Sequence, residues 1–153
     1  MVQKKEDNGE AIAKSMFEMA KLKVPIIAIV IGEGSSGGAL ALGVANKVLM
    51  LENAIYSILS PEGYSSILWK DSSRYKEAAE KMKLTAKDLY DLKVIDKIIK
   101  EPKDGEEEDF SKIVTSLKNQ INKTINDMKK LSKEEIAQER YDKFRKMGEY
   151  INI

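Results

Sequence analysis

The sequence has 153 residues, of which 42% are hydrophobic and 33% are charged, and its formal net charge is +1. One core of ordinary size is therefore expected, and a nearly neutral chain gives no electrostatic reason to expect nucleic acid or an anionic membrane as partner. Because cysteine and histidine are both absent, the composition excludes a disulfide, a thiol nucleophile, a cysteine-ligated zinc and any imidazole base supplied by this chain.

The first elements in chain order are predicted to be a helix and a buried strand. Apolar residues recur at helical spacing over residues 9–22 and predict an amphipathic helix. The apolar run from Pro25 to Ile31 predicts a strand buried on both faces, as in a parallel sheet. No run approaches the roughly 20 apolar residues of a spanning helix, and the first residues lack the apolar core of a signal peptide, so we expect a soluble, cytoplasmic protein.

A glycine-rich turn follows this strand. Gly32, Gly34, Gly37 and Gly38 lie close together, and an apolar helix is predicted from about Gly37 to Asn46. The first amide hydrogens of a helix have no partner within the helix, so such an end attracts a negatively charged oxygen. We therefore expect chemistry at this junction of strand, turn and helix.

Short strands and helices alternate after the turn, which predicts an α/β architecture. Ser60 followed by Pro61 marks the start of one helix, and Thr85 with Asp88 resembles a capping pair for another. The predicted strands cover residues 48–51, 54–59 and 94–99, and the predicted helices cover residues 61–70, 73–83 and 86–92.

The composition changes at residues 101–109, where proline, glycine and an acidic run mark a surface linker. We therefore expect two domains, an α/β part over residues 1–102 and a helical C-terminal extension over residues 103–153.

Two helices are predicted in this extension. An apolar stripe predicts a long helix over residues 109–130, and a capping box of Ser132 with Glu135 opens a final helix that runs to about Met147. These helices either fold back as a hairpin or reach to a partner subunit.

Motif spacing alone leaves two enzymatic interpretations of the turn. Gly32 to Gly37 fits the dinucleotide-binding pattern with Glu52 placed for a ribose hydroxyl, although the following helix is short for that fold. Gly34 to Gly38 fits the nucleophile elbow of hydrolases with Ser36 as nucleophile, although a chain without histidine cannot supply the usual triad. A P-loop is excluded, because its lysine is absent.

A third interpretation uses only main-chain amides. Glycines at a helix start present adjacent N–H groups to an oxygen that becomes negative during a reaction, which is an oxyanion hole. This interpretation needs neither histidine nor cysteine. The alternative is that the glycines merely allow the helix and strand to pack closely, and periodicity does not decide between the two.

Several separated blocks of the sequence resemble one known family, in family order. The blocks are Gly9–Ala13, Met19–Ile27, Val30–Ala41, Ser60–Gly63 and Ser66–Lys70, with further similarity at Val94–Asp96 and a looser one at Arg140–Tyr141. They resemble the α subunit of the bacterial acetyl-CoA carboxylase carboxyltransferase. By this resemblance the chain corresponds to the C-terminal half of that subunit.

The resemblance implies a crotonase-like (ClpP/crotonase) fold, a spiral of ββα units, of which only part is present. It also implies a carboxyltransferase subunit that works with a β subunit in an α2β2 heterotetramer. The family transfers a carboxyl group from carboxybiotin, held on a separate biotin carboxyl carrier protein, to acetyl-CoA, which gives malonyl-CoA for fatty acid biosynthesis. Activity is not expected without the β subunit and the N-terminal half of the family's chain.

The resemblance also implies roles for individual residues. The amides of Gly37 and Gly38 are expected to stabilise charge on the biotin ureido oxygen, and Gly34, Ser35 and Ser36 are expected to contact substrate. No metal is expected on this chain, because the family's zinc ribbon belongs to the β subunit. A dinucleotide-binding module and a non-catalytic assembly domain are the alternative functions.

Overall fold

The computed structural model of the chain describes residues 8–102 and 107–148. In chain order its strands are β1 (Ile27–Val30), β2 (Glu33–Ser35), β3 (Lys47–Leu51), β4 (Ile55–Ser57) and β5 (Lys97–Ile99). Its helices are α1 (Asn8–Lys21), α2 (Ser36–Leu42), α3 (Pro61–Trp69), α4 (Tyr75–Met82), α5 (Ala86–Asp91), α6 (Glu107–Met128) and α7 (Lys133–Lys146), with a 3-10 turn at Ser72–Arg74 before α4. None of the described helices is both long and apolar enough to cross a membrane.

The strands form two small parallel sheets. The larger sheet has the order β1-β3-β5, and Ile27 of β1 lies opposite Lys47 of β3. The smaller sheet pairs β2 with β4, and Gly34 lies opposite Tyr56. Parallel neighbours need crossover connections, which α2 provides between β1 and β3. The predicted α/β architecture is therefore confirmed.

The core is built around β3, the middle strand of the larger sheet. Val48, Leu49, Met50 and Leu51 are all buried, because neighbouring strands and packed helices cover this strand on every side. Partly buried residues of β1 and of α6 pack against the same cluster. The pattern of a strand buried on both faces is thus fully realised in β3.

The prediction that the first strand is buried on both faces is wrong for the described residues. Every residue of β1 is only half-buried, and Ile31, which follows it, is 68% exposed. The physical reason is position: β1 lies at the edge of the larger sheet and, among the described residues, pairs only with β3.

Local capping signals place the helix starts as predicted. The Ser60 hydroxyl accepts a hydrogen bond from the Gly63 amide at 3.1 Å, and the Thr85 hydroxyl accepts one from the Asp88 amide at 3.3 Å. Ser132 and Glu135 form a reciprocal capping box at the start of α7.

The helix after the glycine turn ends at Leu42, not near Asn46 as predicted. The amides of Asn46 and Lys47 instead donate to the Ile26 carbonyl, at 2.9 and 3.2 Å. Because these bonds align β3 with β1, the chain has to leave the helix early.

The two C-terminal helices pack on the α/β part. Leu117 and Ile121 of α6 lie against the core cluster, and Met128 is buried. Residues 103–106 of the predicted linker lie outside the described residues, so the division into domains at 102 and 103 stays a prediction.

A buried arginine connects α7 to the opposite end of the sequence. The Arg140 guanidinium donates to the side-chain oxygen of Asn46 at 2.8 Å and to the carbonyl oxygens of Ala20, Leu22 and Val24. These carbonyls lie at the C-terminal end of α1 and just beyond it, where helix carbonyls have no intrahelical partner. Arg140 therefore fixes the approach of the chain to β1.

Candidate functional site

The glycine-rich turn folds into a very short strand followed at once by a helix. Ser35 ends β2 in an extended conformation, and Ser36 begins α2 with φ 61°. A positive φ is uncommon for a residue other than glycine and is a form of backbone strain that clusters at functional sites. The chain therefore turns sharply between Ser35 and Ser36, and both side chains are exposed.

Two glycines near the turn are required by packing against one tyrosine. A Cβ on Gly34 would lie 2.8 Å from Cδ2 of Tyr56, and a Cβ on Gly43 would lie 2.3 Å from the Tyr56 hydroxyl oxygen. Both distances are too short for a side chain to be added without movement. The packing interpretation of the turn glycines therefore holds for Gly34, and Gly43, which follows α2, is restricted by the same tyrosine.

The two glycines predicted to form an oxyanion hole have different surroundings. A Cβ on Gly37 would make only ordinary contacts, the nearest at 3.6 Å to Ile12, and a Cβ on Gly38 would have no described atom within 4 Å. Neither residue has a positive φ. Packing and backbone conformation among the described residues therefore do not require glycine at these positions.

The amides of Gly37 and Gly38 lie in the first turn of α2. Ser35 occupies the capping position, but its side chain makes no capping hydrogen bond. Both glycines are half-exposed. The first turn is therefore open to an oxygen atom brought from outside the described chain.

Tyr56 holds the turn together and was missed by sequence reasoning. Its hydroxyl donates a 2.9 Å hydrogen bond to the Ala39 carbonyl in α2, while its ring packs beside Gly34 in β2. Burial raises the pKa of the Tyr56 phenol, so the neutral donor form is kept. One aromatic residue of β4 thus fixes α2 relative to β2, and only its position opposite a glycine could have indicated this role.

An apolar groove of about 410 Å³ runs from the turn along β1. It is lined by residues 26–34, by Met19, Ala39, Leu42, Gly43 and Val48, and by Tyr56. Glu33 and Tyr56 are its titratable lining residues. The groove wall is therefore mainly apolar, and Gly37 and Gly38 are not among its lining residues.

Two residues of the alternative interpretations have other surroundings. Glu52 accepts hydrogen bonds from the Lys100 ammonium at 2.5 Å and from the Glu101 amide at 3.3 Å, which joins it to the chain just after β5. Ser36 sits on a strained strand-to-helix turn, as a nucleophile elbow requires, but the sequence has no histidine to activate it. In the described ranges, no group of three or more acidic residues could hold a metal ion.

Comparison with known sequences gives a consistent result. The family described as acetyl co-enzyme A carboxylase carboxyltransferase-like matches residues 2–148. The chain is 59% identical over 140 residues to the acetyl-coenzyme A carboxylase carboxyl transferase subunit alpha of Clostridium botulinum (strain Alaska E43 / Type E3), which covers 92% of this chain and 51% of the relative. It is 54% identical over 143 residues to the subunit of that name from Clostridium acetobutylicum, covering 94% and 52%. The chain thus spans about half the length of these relatives.

Two solved structures share the fold at low sequence identity. A Pseudomonas malonate decarboxylase hetero-tetramer in complex with coenzyme A superposes with a TM-score of 0.64 at 17% identity, covering 78% of this chain and 48% of that chain. The transcarboxylase 12S superposes with a TM-score of 0.50 at 22% identity, covering 57% and 19%. The α/β architecture is consistent with the crotonase-like fold predicted from the sequence.

Proposed function

Because the chain belongs to the acetyl co-enzyme A carboxylase carboxyltransferase-like family, we propose that it is the alpha-subunit part of an enzyme that transfers a carboxyl group from carboxybiotin to acetyl-CoA. The product is malonyl-CoA, which serves fatty acid biosynthesis in the cytoplasm. Its relatives carry the name of this transferase subunit.

The observation that carries the assignment of the site is the open space at Gly38. A Cβ there would meet no described atom within 4 Å, although the residue lies half-exposed at the start of α2. A bulky anionic group can therefore approach the first turn, and its oxygen can reach the amides of Gly37 and Gly38. A side chain at either position would stand in that path.

The proposed chemistry of this chain is electrostatic. Carboxybiotin, carried on a separate protein, supplies the carboxyl group. As its bond to that group breaks, the amides of Gly37 and Gly38 hold the ureido oxygen on which negative charge develops. Gly34, Ser35 and Ser36 line the approach to this oxygen, and Tyr56 keeps the amides in place through Ala39. Preorganised donors of this kind are worth about a hundredfold or more in rate each.

The other parts of the proposal concern what the chain works with. We place it in a crotonase-like spiral of ββα units whose remaining units come from the half of the family sequence that it does not span. The β subunit, the biotin carboxyl carrier protein and acetyl-CoA are its proposed partners, in an α2β2 assembly. One relative of Natranaerobius thermophilus is named as subunits beta/alpha, and the chain covers 24% of it at 53% identity, which supports a close partnership of the two subunits.

Malonyl-CoA-dependent carboxylation of biotin, the reverse reaction, tests the proposal. This chain is mixed with a β subunit and with the remaining half of the family sequence, and each component is withheld in turn. Turnover that requires this chain is expected. If the completed mixture assembles and is inactive, the chain is an assembly domain and the proposed chemistry is wrong.

Two substitutions separate the oxyanion hole from the alternatives. Gly38→Ala is expected to lower kcat by about tenfold or more while the midpoint of thermal unfolding stays the same or rises, because the added methyl group contacts nothing in the described fold and alanine is compatible with the helix. Ser36→Ala is expected to leave most of the turnover, since the proposed reaction forms no covalent bond to the Ser36 hydroxyl. Loss of all turnover in Ser36→Ala alone would instead support a nucleophilic serine, and stabilisation by added NAD would support a dinucleotide site.

A further inference from the structure

The helix α1 packs against the first turn of α2. Among the described residues outside α2, Ile12 of α1 lies nearest to the place that a Cβ on Gly37 would take, at 3.6 Å. Tyr56 fixes α2 through the carbonyl of Ala39, whereas Ile12 lies beside the turn that carries the amides of Gly37 and Gly38. The position of α1 therefore helps to set where these two amides lie.

Packing against α7 fixes the position of α1 only in part. A cavity of about 730 Å³ lies between α1, α2 and α7, and Phe17, Leu40 and Phe144 are among the residues that line it. Apolar contacts hold two surfaces together without fixing a direction, and here the facing surfaces leave open space. The angle between α1 and α7 therefore depends on directional bonds.

Arg140 of α7 supplies such bonds. Its buried guanidinium donates to the carbonyl oxygens of Ala20 at 3.3 Å and Val24 at 3.4 Å, and also to that of Leu22. Because the guanidinium is planar and its donors have fixed directions, these bonds set both the distance and the orientation of the end of α1. Ile12 lies about 12 Å from Ala20 along the same helix. A displacement at the end of α1 is therefore carried to the first turn of α2.

We propose that Arg140 is a positioning residue for the proposed oxyanion hole. It holds the end of α1, and α1 holds Ile12 beside the first turn of α2, so that the amides of Gly37 and Gly38 keep the direction that the ureido oxygen needs. A displacement of about an ångström at such a site lowers the rate by up to about a hundredfold. The inference rests on the proposed function, because it assigns one more residue to the same site.

Kinetics of the reverse reaction in the completed mixture test the proposal. Arg140→Lys keeps the charge, but one ammonium cannot reach all of these acceptors. It is expected to lower kcat by about tenfold while the KM for biotin stays unchanged, because the affected interaction is made only in the transition state. Ile12→Ala removes the side chain beside Gly37 and is expected to change kcat and KM in the same way.

Lys143→Gln is the matched control on the same helix. The Lys143 ammonium donates to the Asp96 carboxylate at 2.5 Å and to the Asn46 carbonyl at 3.4 Å, so these bonds tie α7 to the larger sheet. This variant is expected to lower the midpoint of thermal unfolding and to leave kcat unchanged. All rates are measured well below the midpoints of the variants, so that loss of folded protein does not lower kcat.

The double variant Ile12→Ala/Arg140→Lys shows whether the two residues act along one path. Its kcat is expected to be close to that of Ile12→Ala alone, because the effect of Arg140 is transmitted through Ile12. Two decreases that simply multiply would contradict this path.

The amide signals of Gly37 and Gly38 in a proton–nitrogen correlation spectrum of this chain give a readout that needs no turnover. They are expected to shift in Arg140→Lys and to keep their positions in Lys143→Gln. If the wild-type mixture is inactive, the proposed function fails, and these signals still show whether Arg140 positions the turn.

Three results would overturn the proposal. The first is a folded Arg140→Lys variant in which the signals of Gly37 and Gly38 do not move. The second is an active mixture in which Arg140→Lys leaves kcat unchanged, or in which Lys143→Gln lowers it equally. The third applies if Arg140→Lys does not fold, and it is an undiminished kcat in Ile12→Ala.

Discussion

Alanine substitution of Gly43 reports how tightly Tyr56 holds α2 in place. Gly43 has φ −70° and ψ −9°, which alanine adopts without strain. In the absence of other effects, Gly43→Ala would stabilise the chain by about 0.4–1 kcal/mol, because the unfolded state loses conformational freedom. The new Cβ, however, would lie 2.3 Å from the Tyr56 hydroxyl oxygen.

The change in the free energy of unfolding follows from the displacement of the Tyr56 hydroxyl. It must move by about an ångström and lose its 2.9 Å bond to the Ala39 carbonyl, which costs about 1 kcal/mol. Overpacking adds about 1–3 kcal/mol. After the entropic gain is subtracted, Gly43→Ala should lower the free energy of unfolding by about 2 kcal/mol.

Tyr56→Phe supplies the decisive control, because it removes the atom that clashes. The next neighbours of the added Cβ are backbone carbonyl oxygens of Leu40 and Ala39 at 3.3 and 3.4 Å, which are tolerable. Tyr56→Phe alone should destabilise by about 1 kcal/mol. In that background Gly43→Ala should become neutral or stabilising, so the sign of its effect reverses and the two sites show strong coupling.

Urea unfolding followed by the fluorescence of Trp69, the sole tryptophan, measures all four chains of this cycle. If Gly43→Ala is equally destabilising with tyrosine and with phenylalanine at position 56, the hydroxyl does not set the position of α2 and the reasoning fails.

Two further predictions concern α7. Arg140→Ala should lower the free energy of unfolding by about 3 kcal/mol, because it removes a buried side chain whose guanidinium donates hydrogen bonds to Asn46 and to carbonyls at the end of α1. Arg140→Lys should recover only part of this in the same urea assay, since one ammonium cannot span these acceptors. The hydrogen bond from the backbone amide of Ser132 holds the pKa of Glu135 below its ordinary value of 4.5. The ionised carboxylate therefore contributes fully to the free energy of unfolding above pH 4.5, and this contribution is lost as the pH falls through the lower folded-state pKa. Glu135→Gln should therefore flatten the decline of the thermal midpoint at acid pH, and an unchanged acid profile would contradict this.

Local features of the fold were predictable because their causes lie within a few residues. The reciprocal capping of Ser132 and Glu135 and the hydroxyl cap of Ser60 depend only on neighbours in sequence. The strand β3 was equally predictable, since a run of aliphatic residues favours a buried strand wherever the chain places it. The exposed edge of β1 was not predictable from the same kind of run, because burial depends on which strand becomes its neighbour.

Residues that act over long distances in sequence were missed at the candidate site. Gly34, Ser35, Ser36, Gly37 and Gly38 were identified by the turn motif itself. Whether a side chain could be added at Gly34 or Gly37 depends on Tyr56 and Ile12, which lie in other elements and are distant in sequence.

The contacts of Arg140 also have a consequence for the order of events during synthesis. The arginine bonds to carbonyls that precede it by 116 to 120 residues, whereas paired residues of β3 and β5, such as Leu49 and Lys97, are closer in sequence. Contacts of this kind close late and slow folding, because a long loop has to be ordered before they form. The segment that leads into β1 therefore leaves the ribosome long before its arginine does, and it lacks these hydrogen bonds during that interval. Chaperone binding to nascent chains halted before residue 140 should be strongest at this segment.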